Sequence, residues 1–276
     1  MTTYTTPSPQ KKESKKLSFN RLKKTPLTKV SINVLIPNFL TLISLCAGFS
    51  AVRFALIEHW ELAAAAIFTA ALFDGLDGRI ARLIGGASRF GAELDSLSDF
   101  VSFGVAPSLV IYLYCLHQFG KWGWICALFF TVACALRLAR FNTLSIEADR
   151  QTSHIFPWES KFFLGIPVPA AAGIALIPLM IELEIDYTWQ FPAFFYMLML
   201  IFSGLLMISR IHTYSFKTVH LHPKWILPVF VGMGLFVAAF ITNPWLFLII
   251  IGTVYLISIP FSDLAYRRLM KKEKLL

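Results

Sequence analysis

Charge is scarce in this sequence: only 15% of its 276 residues are Asp, Glu, Lys or Arg, while 57% are hydrophobic. With a mean hydropathy of +0.65, this composition excludes an ordinary soluble domain, in which about a quarter of residues are charged, and indicates a polytopic membrane protein. Cysteine is scarce too. Cys46, Cys115, Cys126 and Cys134 all lie in apolar stretches without C-x-x-C spacing, which excludes a zinc site and leaves packed thiols. Acidic residues are outnumbered 16 to 25, yet the formal charge of +9 does not mark a nucleic-acid surface. The Lys and Arg residues cluster beside apolar segments, as topology signals and headgroup contacts do, so no nucleic-acid partner is expected. Internal repeats are absent, which weighs against transporters built from duplicated halves. No secretory leader precedes the first apolar run near Ser31, so the first span is expected to act as its own targeting signal.

What is present divides into five stretches. Residues 1–16 are polar and too poor in apolar side chains to form a core, which predicts a disordered basic tail. Residues 17–36 mix Phe19, Leu22 and Leu27 with Arg21, Lys23 and Lys24, a composition suited to lying on an anionic headgroup surface. Six spans are expected within 37–209, two more within 210–263, and a basic tail over 264–276. The eight apolar segments fall near 37–57, 62–83, 95–116, 122–142, 162–181, 190–209, 225–242 and 245–262. The expected fold class is therefore all-α, a bundle of about eight transmembrane helices.

Charge asymmetry orients the bundle. Arg82 and Arg89, then Arg140, Arg150 and Lys161, then Arg210, Lys217 and Lys224 occupy alternate connections. The intervening connections hold Glu58 and Glu61, then Lys121, then Glu182, Glu184 and Asp186, then an uncharged turn. Both termini are thus expected on the cytoplasmic side of a cell (inner) membrane.

Against this apolar background, residues 74–99 stand out. They carry Asp74, Asp77, Asp95 and Asp99 where the flanking residues read as membrane helix. Each ionised Asp at a helix centre costs about 2.5–3.5 kcal/mol on insertion scales, so something must offset them. Residues three or four apart share a helix face, so Asp74 with Asp77 and Asp95 with Asp99 form two pairs. A hairpin through Gly85-Gly86-Ala87-Ser88 brings the pairs to one depth. Hard oxygen donors in that number suit Mg²⁺, Mn²⁺ or Ca²⁺. The plainer alternative is an ion-pair network with Arg79, Arg82, Arg137 or Arg140 and no metal.

The full pattern, Asp74-x2-Asp77-Gly78-x2-Ala81-Arg82-x8-Gly91-x3-Asp95-x3-Asp99, resembles the signature of the CDP-alcohol phosphotransferase family at all eight positions. The likeness covers the first six spans, a six-helix core, and leaves the last two outside it. Pro37-Asn38-Phe39-Leu40-Thr41 also resembles the usual entry of that family, and Arg137-Leu138-Ala139-Arg140-Phe141-Asn142 and Phe163-Leu164-Gly165-Ile166-Pro167-Val168-Pro169 are similar to its membrane-embedded branch that takes serine as acceptor.

The resemblance implies transfer of the phosphatidyl group of CDP-diacylglycerol to the hydroxyl of L-serine, with release of CMP, inside a membrane of lipid. It implies a divalent cation, two per site, held by Asp74, Asp77, Asp95 and Asp99. It also implies Asp99 as the catalytic base, and Asn38, Asp74, Gly78, Ala81, Arg82 and Gly91 around the CDP. Arg137, Arg140 and Asn142 are the candidates for the serine or the lipid phosphate, the arginines otherwise being snorkelling cations at a span end. The family further implies a homodimer. Two alternatives stay open: a sibling enzyme whose acceptor is glycerol 3-phosphate, inositol, inositol phosphate or choline, and a divalent-cation transporter.

Overall fold

The computed structural model describes residues 32–86, 88–150, 162–209, 211–214 and 226–273. The expected disordered tail, most of the expected interfacial segment, Ala87 in the hairpin turn, and the basic residues Lys161, Arg210, Lys217 and Lys224 lie outside them. Among the described residues the chain forms a helical bundle: α1 (Ile32–Leu56), α2 (Trp60–Leu83), α3 (Arg89–Tyr114), α4 (Lys121–Arg150), α5 (Val168–Glu184), α6 (Ala193–Ile208), α7 (Ile226–Thr242) and α8 (Pro244–Glu273). Four stretches, Val34–Leu56, Arg89–Tyr114, Lys121–Leu144 and Pro244–Leu264, are long and apolar enough to cross a membrane. Large apolar side chains such as Phe39, Phe49, Leu72 and Leu97 face outward, as a lipid surround allows.

The hairpin between α2 and α3 follows from its residues. Gly85, at φ +64°, takes the left-handed conformation that closes a helix cheaply only without a Cβ. Ser88 then caps α3, its Oγ accepting the Gly91 N–H at 3.0 Å. α3 opens six residues before the boundary expected at 95, and its course changes after Asp99: Phe100–Val105 is π-helical. The wider turn shifts the face that α3 presents from one end to the other. Ser98 and Ser102 nonetheless both donate to α1, to the carbonyls of Thr41 and Ser44, each at 3.2 Å. Gly48 permits this approach, since a Cβ there would meet Ser102 Oγ at 2.2 Å.

The helix expected from residue 162 begins later. Phe162–Leu164 is a strand, β1, paired antiparallel with β2 (His212–Tyr214) so that Phe162 faces Tyr214 and Leu164 faces His212. Gly165 extends the ladder by donating to the Ile211 carbonyl at 2.8 Å, and α5 starts only after Pro167. A period-based reading sees the Phe163-to-Pro169 run as apolar helix. Its two prolines and the distant partner strand make it a clasp instead.

α1 packs most extensively on α2, α4 on α6, and α8 along α5 and over β2. The buried core runs through Phe103, Ile111, Leu116, Phe130, Leu176 and Tyr196. The end remote from the aspartates is tied by Glu182, 1% exposed, whose carboxylate accepts the Phe191 N–H at 2.6 Å and the Tyr114 hydroxyl.

Candidate active site

Three of the four aspartates converge. One carboxylate oxygen from each of Asp74, Asp95 and Asp99 lies within 4.8 Å of the other two. At an effective dielectric of 20, two like charges at such a distance repel by about 3 kcal/mol, so the trio is poorly matched to its surroundings without a cation. Asp99 Oδ1 is shielded from solvent and has no hydrogen-bond partner among the described residues. An orphaned buried oxygen within an oxygen-only donor set fits a hard divalent cation, and among the described residues no nitrogen or sulfur ligand joins the group. The ion-pair alternative finds no support among the described residues. Arg82 Nε donates to the Gly78 carbonyl at 2.9 Å, Arg137 Nε to Ile166 at 3.2 Å and Arg140 Nη1 to Ile208 at 3.4 Å, all backbone oxygens.

Asp77 stands apart from the trio. It is 5% exposed, and its Oδ2 accepts the Thr41 hydroxyl at 2.6 Å. The same hydroxyl lies 3.1 Å from the Pro37 carbonyl, but it has one proton, and the shorter charge-assisted bond claims it. Thr41 was legible only as part of the span-opening motif, because its partner is 36 residues away on α2.

Asp77 and Asp95 are walls of a cavity of about 350 Å³ between α1, α2 and the start of α3. Asn38, Gly78, Ala81, Arg82 and Gly91, all expected around the CDP, line it, joined by Thr41 and Ser88. Asp74 does not line it. The two glycines work differently. A Cβ on Gly78 would meet nothing within 4 Å, so that glycine leaves wall space open; a Cβ on Gly91 would lie 2.7 Å from Asn38 Oδ1 and 3.1 Å from Ser88 Oγ. Gly91 thus lets α3 close on α1.

The three residues grouped for the acceptor or lipid phosphate diverge. Arg137 is 8% exposed and sits over the Phe141 ring at 5.6 Å. Arg140 is half-buried and reaches the end of α6. Asn142 joins α4 to α3, donating through Nδ2 to Ser96 Oγ at 3.0 Å, beside a separate cavity of about 240 Å³ that also includes Glu93, Leu97 and Phe100. Of the three, Arg137 is the one that is buried.

Residues 34–214 match the family described as CDP-alcohol phosphatidyltransferase, and residues 224–260 match the one described as CDP-alcohol phosphatidyltransferase 2. The chain is 37% identical over 239 residues to a Mycobacterium leprae protein named CDP-diacylglycerol–serine O-phosphatidyltransferase, covering 86% of this chain and 77% of that one. Proteins of the same name from Mycobacterium tuberculosis and Helicobacter pylori are 34% and 33% identical. The shared region is 83% of this chain and 78% of the mycobacterial protein, and 81% and 88% for the Helicobacter pair.

Proposed function

The chain belongs to the CDP-alcohol phosphatidyltransferase family, and on that premise we propose that it is a phosphatidylserine synthase, transferring the phosphatidyl group of CDP-diacylglycerol to L-serine. The observation that carries this is the convergence of Asp74, Asp95 and Asp99 beside the cavity walled by Asp77 and Asp95. The relatives' shared name supports serine as the acceptor.

Asp74, Asp95 and Asp99 would hold a divalent cation, with Asp77 at the cavity wall completing the acidic set; a second cation at the same aspartates and the choice of Mg²⁺ or Mn²⁺ belong to this proposal. Bound there, the metal supplies electrostatic stabilisation of the pyrophosphate and of the charge that develops on it. The protein's own groups do the rest. Asn38, Gly78 and Arg82 bound the cavity for the nucleotide, and Gly91 keeps α1 and α3 close enough to form its wall. Asp99 takes the proton of the serine hydroxyl; the serine oxygen forms a bond to the lipid-side phosphorus as the bond to CMP breaks. Arg137 and Arg140 are cationic partners for the serine carboxylate or the lipid phosphate.

The basic connections support a site opening to the cytoplasm of a cell membrane crossed eight times, with both termini on that side. The family resemblance supports a homodimer. Purified enzyme given CDP-diacylglycerol, Mn²⁺ or Mg²⁺ and each labelled alcohol in turn tests the assignment. Serine is expected to yield lipid and CMP, and Asp95→Asn to abolish both. Product from glycerol 3-phosphate or inositol and none from serine would refute it; cation flux without nucleotide would place the protein among transporters.

A further inference from the structure

α7 and α8 follow the six-helix core, and nothing in the chemistry above requires them. Between themselves and α2 they enclose a further cavity, of about 710 Å³. Leu62, Ala65 and Leu72 of α2 form one wall, and Phe240 of α7 with Trp245 and Leu248 of α8 form the other. The α8 wall is held in place from the core. Glu184, at the end of α5, accepts the Leu246 N–H in the first turn of α8 at 3.2 Å. Trp245 meets the Phe68 ring edge-on, with 6.4 Å between centroids, and Gly252 lets α8 close on α5, where a Cβ would meet Ile177 Cδ1 at 3.2 Å.

The lining suits hydrocarbon. Its two polar side chains are Thr69 and Glu61. Thr69 Oγ1 already donates to the Ala65 carbonyl at 2.8 Å, and Glu61 is exposed in the first turn of α2, at the cavity's rim. An occupant between them meets apolar surface alone. Leu62 and Leu72 are ten residues apart, so the groove runs about 15 Å along α2 at 1.5 Å per residue. That is half of a hydrocarbon core about 30 Å thick, the depth of one leaflet's acyl chains. The groove also communicates with the candidate active site. Ala71, Gly75 and Gly78 recur at helical spacing on one face of α2. Ala71 lines the apolar cavity, Gly78 lines the cavity walled by Asp77 and Asp95, and a Cβ on Gly75 or Gly78 would meet nothing within 4 Å. A track without bulky side chains therefore joins the two cavities at the level of Asp74.

We propose that the groove between α2 and the α7–α8 pair seats one acyl chain of the phosphatidyl donor, so that the appended helices select the donor by its hydrocarbon. The donor is the lipid whose phosphorus must sit among Asp74, Asp95 and Asp99, and the track past Gly75 leads from there into the groove. Its length matches a single chain, and its walls ask for nothing polar. The inference rests on CDP-diacylglycerol being the donor, as proposed above.

The test is Ala65→Trp in the full-length enzyme, which fills the groove well away from the aspartates. CMP release is measured with dipalmitoyl CDP-diacylglycerol and with the dihexanoyl form, whose chains are too short to reach Ala65. The KM for the dipalmitoyl donor is expected to rise about tenfold, the effect of displacing roughly two methylenes from an apolar seat. The KM for the dihexanoyl donor, the KM for serine and kcat should stay within twofold. Leu248→Trp fills the groove from the opposite wall with the same expectation, and serves if the first variant does not accumulate. An equal rise for both donors, or no rise for either, would overturn the groove's role. In the parent enzyme, a donor carrying a diazirine at its chain end should label residues 62–72 of α2 or the facing turns of α7 and α8. Labelling elsewhere alone, or equal labelling by a diazirine phosphatidylglycerol that excess CDP-diacylglycerol does not displace, would also overturn it. Failure of the parent to release CMP from either donor would instead overturn the proposed function itself.

Discussion

Thr41→Val removes a single oxygen and leaves a branched side chain of similar shape. In the parent, Thr41 is 4% exposed and donates to Asp77 Oδ2 at 2.6 Å, across the α1–α2 interface. A hydrogen bond to a charged group is worth about 1.5–3 kcal/mol. Asp77 itself is 5% exposed, so little water is available to replace the lost donor. If the bond fixes the Asp77 carboxylate in the cavity wall as phosphoryl transfer proceeds, kcat/KM should fall about 10- to 150-fold, at roughly 1.4 kcal/mol per factor of ten. CMP release measured against CDP-diacylglycerol and Mn²⁺ concentration reads this out, with the loss appearing in kcat and in a higher Mn²⁺ requirement. Thr41→Ser restores the donor and should recover most of the activity, whereas loss of packing alone would leave Ser no better than Val. Activity of the Val variant within twofold of the parent would refute the coupling of Thr41 to the site.

Two further outcomes follow from local geometry. Gly91→Ala places a methyl 2.7 Å from Asn38 Oδ1 and 3.1 Å from the capping Ser88 Oγ, so α3 must withdraw from α1; we expect more than a tenfold loss of CMP release with a small change in thermal stability in detergent, and equal losses of both would count against it. Glu182→Ala strips the acceptor from the Phe191 N–H and the Tyr114 hydroxyl. Two half-buried donors left unsatisfied should cost about 2–4 kcal/mol of stability. Asp99 is 15 residues from Tyr114 along α3, roughly 22 Å at the helical rise, so kcat of the folded fraction should be unchanged; a specific loss of turnover would show that the two ends are coupled.

The aspartate hairpin could be read from spacing because helical periodicity is local: residues 74, 77, 95 and 99 fall on faces that the 3.6-residue turn dictates. The cavity's glycines and Arg82 were legible through the family resemblance that this one continuous motif carries. Which aspartates share a centre was not legible. That depends on Thr41, which draws Asp77 into its own bond, and on the course of α3 around Asp99, where the helix passes into a π turn. Gly91 could be seen to need room, but not that the room is filled by Asn38 rather than by a ligand. Arg137, Arg140 and Asn142 look like one constellation in sequence, yet each meets a different element, namely the clasp at Ile166, the end of α6 and Ser96 of α3.

By itself the sequence determined that this chain is a membrane bundle, that its acidic residues gather at one hairpin, and that their chemistry suits a hard cation. Composition, charge asymmetry and helical spacing are properties of neighbouring residues, and they survive without knowledge of what packs where. Only the tertiary structure decided which carboxylates converge and which one a threonine holds aside. It alone paired two three-residue strands separated by more than 40 positions, and set Gly165 of the clasp against Arg137 of the fourth helix. Those are choices between partners distant in the chain, made by close packing and by the need of every buried polar group for a partner.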